Sequence, residues 1–422
     1  MHISLDLALG RELRLNSVGE SVLQIAPNAA AAYSLRSLTG GDPRVVRVRR
    51  SSDNTESDFT SSGISSGALL DFVKTEAVTY TSDFSTDTDG WSAANGSAAV
   101  SDGALELTPN TVSTTHHVTE SGLVGAGEKV RVSFDVKIPS GQSLVNGFRF
   151  VEVSGTTIKQ VNNQAQGDFV SYSEEFTSTS TGILRLFASK DGNITFAGDD
   201  SEKILIKNIV VTSIDENGFV ETWYDQSGNS NDAVQATAGS QPKIVNAGAL
   251  LADGIDFDGS DDILVAASVS GFGATVSLFE ASIRDGGAAA VVSMGSSAAT
   301  TNTNFGLVEA GSNTQASVRN TTSRTVNASV SGETRLGFAV TTGQTSTKVG
   351  ALGGTLVETT DDYGDDFTSG ELDTIFLGKI RGGSSTEFNG HIREALVYNT
   401  DQSANRDAVE ANIANHYNIT LV

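Results

Sequence analysis

The sequence contains no cysteine, few prolines and no long apolar run. Without cysteine, a disulfide scaffold, a thiol nucleophile and a cysteine-based zinc site are all excluded. No apolar run approaches the roughly 20 residues that a membrane-spanning helix needs, so we expect no membrane insertion. Basic residues are also scarce, with 27 Lys and Arg against 51 Asp and Glu, a formal net charge of −24. A protein with this negative charge repels the phosphates of nucleic acids, which argues against nucleic acid as a partner.

The acidity itself has two interpretations. It can keep the protein soluble, or Asp-rich loops can capture calcium. No Asp spacing of the EF-hand type is present, so we favour solubility and expect no metal site and no cofactor. The five histidines are scattered apart from the adjacent pair His116 and His117. On one strand, two adjacent side chains point to opposite faces and make a poor chelating pair.

The composition resembles that of extracellular proteins, because charged residues make up only 18% of the chain. The first residues, MHISLDLALGRELRLNS, lack the basic start and apolar core of a secretory signal. This combination is expected of a particle protein that is assembled in a host cytoplasm and released by lysis, such as a phage protein. An ordinary cytoplasmic protein is the alternative.

Glycine is abundant, at 44 residues, and clusters of Ser, Thr, Asn and Asp recur along the chain. This composition is typical of many short strands joined by tight turns. The segment KVRVSFDVKI, residues 129–138, alternates strictly between polar and apolar residues, which predicts a half-buried antiparallel strand. Further strands are predicted at 3–9, 45–50, 182–189, 203–213 and 391–399. Strands at this density predict a sandwich or barrel.

The apolar period changes near the end of the chain. Val409, Ile413 and Tyr417 recur every four residues after Ser403, a candidate N-cap. The pattern predicts one terminal helix of about three turns. The expected fold class is therefore all-β with one short C-terminal helix.

A dense basic patch lies at Arg44, Arg47, Arg49 and Arg50. It could bind an anion or a carboxylate ligand. It could instead pair locally with nearby acids, which are Asp42, Asp53, Glu56 and Asp58. We favour local pairing because so many acids lie close in sequence.

Several segments together resemble a known sandwich family. They are AAYSLRSL (31–38), VRVRRSSDNTESDF (46–59) and FVETWYDQSGNSNDAVQATAGSQPKIV (219–245). They resemble the concanavalin A-like sandwich of the alpha-L-arabinofuranosidase B catalytic-domain type, versions of which recur in phage and bacterial surface proteins. GIDFDGSDDILV (254–265) and the segment 390–419 resemble the final strand and terminal helix of laminin-G-like sandwiches.

In sequences of that family, a stretch like LLDFV (69–73) is followed almost at once by one like NGFV (217–220). Here the two are far apart, which predicts a domain inserted at 79–214 into a sandwich made of 31–78 and 215–422. Insertion at an exposed loop is tolerated because the ends of the loop lie close together. Residues 1–30 are then expected to form an N-terminal attachment arm.

The inserted segment resembles the galactose-binding-like jelly roll of carbohydrate-binding modules. The features that carry this resemblance are DFSTDTDGW (83–91), DGALELT (102–108) and IKNIVVTS (206–213). The resemblance implies a second β-sandwich within the first and a saccharide as ligand.

Catalysis is not expected, although the arabinofuranosidases are retaining glycosidases that use two carboxylates. In that family the nucleophile lies in a segment with adjacent cysteines, and this chain has no cysteine. The acids in the matching segments are Asp225, Asp232, Asp256, Asp258, Asp261 and Asp262. We predict that they hold tight turns rather than act as an acid–base pair, so no residue is predicted to be catalytic.

Saccharide binding usually needs exposed aromatic rings flanked by hydrogen-bonding side chains. Both tryptophans, Trp91 and Trp223, are predicted to lie in a core rather than on a ligand platform. The remaining candidates for a carbohydrate-binding face are His116, His117 and Tyr172 in the inserted segment. Ordinary strand positions are the alternative for each of them.

The leading hypothesis is a non-enzymatic virion surface protein, such as a phage fibre, spike or tail-associated adhesin. Its N-terminal arm would contact other virion proteins, and the inserted jelly roll would bind host-surface glycans. A homo-oligomer, with a trimer as the usual state of fibres, is implied by that class. Many copies on one particle would strengthen weak binding.

Two alternatives remain open at this point. One is a glycoside hydrolase of the arabinofuranosidase type with a carbohydrate-binding module. The other is a purely structural capsid decoration or connector protein that has no ligand.

Overall fold

The structure is a computed structural model that describes residues 20–109, 116–143, 145–152, 157–179, 182–188, 202–297, 303–380 and 387–422. The predicted strand at 3–9 lies outside the described residues. The chain divides into two compact units. Unit 1 comprises the residues up to Val73 together with Glu216–Val422, and unit 2 comprises Lys74–Asp215.

The first segment of unit 1 contains three short helices and the first strands. They are α1 (Val22–Ile25), β1 (Ala31–Ser34), β2 (Arg44–Arg50), β3 (Glu56–Thr60), α2 (Ser61–Ser65) and α3 (Ala68–Val73).

Unit 2 is built from strands. They are β4 (Thr75–Ser82), β5 (Ser92–Ala94), β6 (Gly96–Ser101), β7 (Ala104–Pro109), β8 (His117–Glu120), β9 (Lys129–Lys137), β10 (Phe148–Glu152), β11 (Thr157–Val161), β12 (Phe169–Thr177), β13 (Leu184–Phe187) and β14 (Ile204–Asp215).

The second segment of unit 1 begins with short strands and one 3₁₀ turn, Ala238–Ser240. The strands are β15 (Gly218–Trp223), β16 (Ala233–Val234), β17 (Lys243–Asn246), β18 (Ala249–Leu250), β19 (Ile255–Asp258), β20 (Leu264–Ala267), β21 (Thr275–Gly286) and β22 (Ala288–Gly295). The remaining elements are β23 (Asn304–Ala310), β24 (Asn313–Arg319), β25 (Ser323–Ser329), β26 (Thr334–Thr342), β27 (Thr347–Ala351), β28 (Val357–Thr359), β29 (Thr374–Leu377), β30 (Asn389–Tyr398) and α4 (Arg406–Tyr417).

Unit 1 is an antiparallel sandwich whose long central strands are β21, β26 and β30. From these strands the hydrogen-bonded ladder continues through β19, β17, β15, β16, β20, β29 and β22 to β25. The main hydrophobic core includes Trp223, whose ring centroid lies 5.9 Å from that of Tyr33. The all-β fold class is confirmed. Helices α1, α2 and α3, of four to six residues, were not predicted.

A second apolar cluster lies where α1 and α4 pack on β21, β26 and β30. The predicted terminal helix is confirmed, with Val409 and Ile413 fully buried. Its predicted N-cap was wrong: Ser403 lies in the turn before the helix, where its N–H bonds to Asp401, and Asn405 is the N-cap. Val22 and Ala26 are also buried in this cluster, so residues 20–30 of the predicted arm pack into unit 1.

Unit 2 consists of two antiparallel sheets that enclose a core of its own. The five-stranded sheet has the order β11-β10-β13-β8-β5, and the other has the order β12-β9-β14-β7-β6, with β4 paired to β14. The predicted alternation of residues 129–138 is confirmed, because the apolar residues of β9 are buried and the polar ones are half-buried. Trp91 lies in the core, as predicted.

The two ends of unit 2 are hydrogen-bonded neighbours. In the pairing of β4 with β14, Thr75 lies opposite Asp215. Unit 2 therefore begins a few residues before the predicted boundary at residue 79, because β4 completes the sheet at β14. Adjacent ends are the geometry that insertion into a loop requires.

Candidate functional site

The outward surface of the five-stranded sheet of unit 2 brings together residues that are distant in sequence. In β10 and β13, Phe148, Phe150, Leu184 and Leu186 face the core. Because side chains alternate along a strand, the intervening residues face outward.

The register of three neighbouring strands arranges these outward residues in two rows. Arg149 lies opposite Phe187, and Phe187 lies opposite His117. In the adjacent row, Arg185 lies opposite Thr119. We call these five residues the arginine face. Arg149 and Arg185 occupy diagonal positions on paired strands, where long side chains are within reach of one another.

Phe187 supports its neighbours rather than offering an open ring. Its side chain is buried, with the guanidinium carbon of Arg149 4.9 Å from the ring centroid. The His117 ring lies on another side, with its centroid also 4.9 Å away. A guanidinium that stacks on an aromatic ring keeps its plane and its donors in a fixed orientation.

Neither guanidinium of the arginine face has a polar partner among the described residues. No hydrogen bond or ion pair reaches Arg149 or Arg185 there, and the Nε atom of each is buried without an acceptor. Three other cations of unit 2 pair with glutamates, whereas Lys137 and Lys207 lie over the Phe169 ring without an ion pair among the described residues. The pairs are Arg131 with Glu76 at 2.6 Å, Lys159 with Glu174 at 2.5 Å and Lys203 with Glu106 at 2.8 Å.

His117 is neutral at physiological pH. Burial lowers the pKa of His117 to about 4, and the positive charge of Arg185 and the nearby His116 add to this effect. Its Nδ1 atom is buried without a hydrogen-bond partner. A neutral imidazole offers one donor and one acceptor, so His117 adds a polar group to the face without adding charge.

The three predicted carbohydrate-binding residues are not brought together. His117 belongs to the arginine face. His116 is buried just before β8, and its carbonyl oxygen accepts a hydrogen bond from Ala188 N–H. Tyr172 lies on the other sheet and packs inward, with its ring centroid 5.1 Å from that of Phe148. Saccharide binding by these residues stays a prediction, and burial leaves His116 no open ring face.

Arg149, Arg185 and Phe187 were missed at the sequence level. The segments FRFVE and LRLF do alternate charged or aromatic residues with core residues, which indicates outward positions. The strands that carry them are separated by more than 30 residues of sequence, so their alignment depends on sheet register.

Several polar groups that face outward from the six-stranded sheet bond to one another, whereas Lys137 and Lys207 of this sheet lie over the Phe169 ring. Arg131 bridges Glu76 and Glu175, and the hydroxyls of Ser133 and Ser173 lie 2.9 Å apart. Because these groups already bond to one another, a ligand there must break existing contacts.

Four of the six acids in the matching segments of unit 1 hold turns, as predicted; Asp256 instead lies in β19 opposite His391, and Asp261 accepts from the Ser240 hydroxyl. Asp225 accepts hydrogen bonds from the N–H groups of Ala32, Ser227 and Asn231. In the turn at 258–262, Asp258 accepts from Ser260 N–H, and Asp262 accepts from Asp258 N–H. The carboxylates of Asp258, Asp261 and Asp262 lie within 4.8 Å of one another, and this turn geometry accounts for their proximity.

Local pairing of the basic patch is also confirmed for three of its arginines. Arg44 and Arg47 pair with Asp58 at 2.9 and 2.7 Å, and Arg50 pairs with Asp53. Arg49 instead donates to neutral acceptors, which are Gln241, Asn54 and the Ala238 carbonyl.

A cleft of about 650 Å³ opens on unit 1 beside Tyr417. Arg36 and Arg393 flank the Tyr417 ring, with guanidinium carbons 5.8 and 5.4 Å from its centroid. Both cations are neutralised, Arg36 by Glu394 and Arg393 by Asp253, each at 2.7 Å. The two cations beside the cleft therefore already have acid partners, unlike those of the arginine face.

No family model matches the sequence, and no curated protein matches it. The CBM40 module of the Ruminococcus gnavus IT-sialidase, bound to alpha2,3 sialyllactose, is 19% identical with a TM-score of 0.28, over 33% of this chain and 82% of that one. The CBM22-1 xylan-binding domain of Paenibacillus barcinonensis Xyn10C is 19% identical with a TM-score of 0.25, over 33% of this chain and 96% of that one. These structural neighbours are carbohydrate-binding modules. No helix within the described ranges has the length and apolar character needed to cross a membrane.

Proposed function

We propose that this chain is a non-enzymatic glycan-binding surface protein whose unit 2 binds saccharide at the arginine face. The observation that carries the proposal is the set of hydrogen-bonding side chains gathered on one outward sheet surface, three of which have no hydrogen-bond partner among the described residues. Saccharides present many hydroxyls, and a site that recognises them needs donors and acceptors in fixed positions. Stacking on Phe187 supplies that fixed position for Arg149.

A non-enzymatic role is supported by where the acids of unit 1 lie. Asp225, Asp232, Asp258 and Asp262 accept hydrogen bonds from backbone N–H groups and hold turns. Glu280 and Glu309 form a carboxyl pair, but both are fully buried inside unit 1 and are out of reach of a polymeric substrate. The purified chain should therefore retain glycan without releasing sugar.

The binding experiment uses the full chain on a glycan array, with released reducing sugar measured in parallel. Thr119→Trp places a bulky ring in the arginine face and should abolish binding. Ser173→Trp makes the same change on the other sheet of unit 2 and should leave binding intact. An array without any binding, or measurable sugar release, would overturn the proposal. Loss of binding in Ser173→Trp alone would place the site on the other sheet.

We also propose a virion setting for this binding, as a fibre, spike or tail-associated adhesin of a phage. The resemblance of unit 1 to sandwiches of phage and bacterial surface proteins and the low charged fraction of 18% support this setting. Labelling purified particles with an antibody against unit 2 should decorate their surface. The mass of the purified chain should be that of a homo-oligomer, with a trimer expected. Unlabelled particles would favour a protein that acts outside the virion.

A further inference from the structure

We infer that the arginine face takes an anionic saccharide, whose carboxylate or sulfate group is held between Arg149 and Arg185. This inference rests on the proposed function and names the class of ligand for the same site. Carboxylate and sulfate share the chemistry that matters here, which is a compact group of negatively charged acceptor oxygens.

Most described arginines of the chain pair with an acid, whereas Arg149 and Arg185 do not. Acids outnumber basic residues by 51 to 27, so the chain has more than enough acids to pair its cations. Unit 2 contains three arginines, and one of them, Arg131, is held by two glutamates. Arg149 and Arg185 remain without an acid among the described residues. Their charges are left for an acceptor that the described residues do not supply.

The positions of Arg149 and Arg185 also favour an anionic ligand. Like charges at neighbouring cross-strand positions repel one another and destabilise a sheet. An anion placed between them converts this repulsion into attraction and provides acceptors for donors that have none. Charge-assisted hydrogen bonds of this kind are about twice as strong as neutral ones.

The remaining polar groups of the arginine face are neutral, so they can bond to the hydroxyls of a sugar rather than to its anionic group. His117 is more than nine-tenths buried, and its Nδ1 has no partner. Thr119 lies beside Arg185, and its hydroxyl donates to the Leu184 carbonyl oxygen at 3.2 Å, which leaves the hydroxyl oxygen as an acceptor. These neutral groups can bond to hydroxyls next to the anionic group, which distinguishes a saccharide from a free anion.

The test compares matched probes that differ only in charge. Trigalacturonate is measured against its methyl ester, 3′-sialyllactose against lactose, and a sulfated against a desulfated chondroitin oligosaccharide, each by titration with the full chain. Inorganic sulfate is the control for binding of an anion that carries no sugar. We expect at least one acidic probe to bind tenfold or more tightly than its neutral partner and more tightly than inorganic sulfate.

Two substitutions test whether the preference for acidic probes depends on the arginine face. Arg149→Gln and Arg185→Gln should each reduce binding of the acidic probe at least tenfold. Arg131→Gln removes the same charge from the other sheet and should have no such effect. Equal binding of acidic and neutral partners, unaffected by these substitutions, would overturn this inference and leave the proposed function intact. If inorganic sulfate bound as tightly as the acidic saccharides, the site would recognise an anion and not a saccharide. No binding to any saccharide would overturn both this inference and the proposed function.

Discussion

At the scale of single residues, the feature that costs most free energy to bury is a cluster of charged side chains inside unit 1. Arg335 pairs with Glu309 at 2.6 Å, and both side chains are fully buried. Glu280 lies beside them and is also fully buried. One guanidinium can balance only one carboxylate, so a buried pair of carboxyls retains a proton.

The cluster predicts a pH dependence of stability. Burial raises the pKa of Glu280 to about 7, and burial and the nearby Glu280 raise the pKa of Glu309. A carboxyl with a raised folded-state pKa favours folding most below its unfolded pKa, and that contribution is lost as pH rises through the folded pKa. The free energy of unfolding should therefore fall by up to about 1.4 kcal/mol per pH unit between roughly pH 4.5 and 7.

Chemical denaturation across this pH range measures the effect, with Glu280→Gln as the control. Glutamine has the same shape and does not titrate, so the variant should lose part of the slope. Identical slopes in the two proteins would show that Glu280 ionises freely in the fold.

Removing the cation of the cluster should be far more damaging than removing a surface cation. Arg335→Met leaves a buried carboxylate without its partner, and we expect a loss of about 3–5 kcal/mol in the free energy of unfolding. Arg44→Met breaks the exposed ion pair with Asp58 and should change it by less than about 1 kcal/mol. Equal losses in urea denaturation would contradict the proposed role of the cluster.

At the scale of elements, β30 depends on a glycine. Gly390 has a φ of +144°, and a Cβ there would meet the Ile283 carbonyl oxygen of β21 well inside contact distance. Gly390→Ala should lower the free energy of unfolding by about 2–4 kcal/mol, because it adds both backbone strain and a steric clash. Gly239→Ala meets nothing within 4 Å and should be nearly neutral. Melting temperatures of the two variants provide the comparison.

Elements with a local signal could be predicted from sequence, whereas the site could not. The alternation in β9 and the four-residue period in α4 each lie within one segment, so they identify a strand and a helix. The N-cap was misassigned because Ser403 and Asn405 are both good caps, and the preceding turn decides between them. The arginine face depends on the register of β10, β13 and β8, which no local pattern encodes.

At the scale of the whole molecule, each unit has a core of its own. The core of unit 2 includes Trp91 and Phe134, and the core of unit 1 includes Trp223 and Phe257. We therefore expect residues 74–215 to fold alone, with a single cooperative thermal transition and with the glycan affinity of the full chain. A segment that is unfolded in isolation, as judged by near-ultraviolet circular dichroism, would contradict this expectation.

The pairing of Thr75 with Asp215 has a further consequence for how such a protein can diversify. A module whose first and last residues are adjacent can be replaced by recombination without separating the two chain ends that receive it. Under the proposed function, replacing unit 2 changes which glycan is bound while unit 1 keeps its own strands and core. Ligand specificity, carried by unit 2, and the framework of unit 1 can then evolve separately although one gene encodes both.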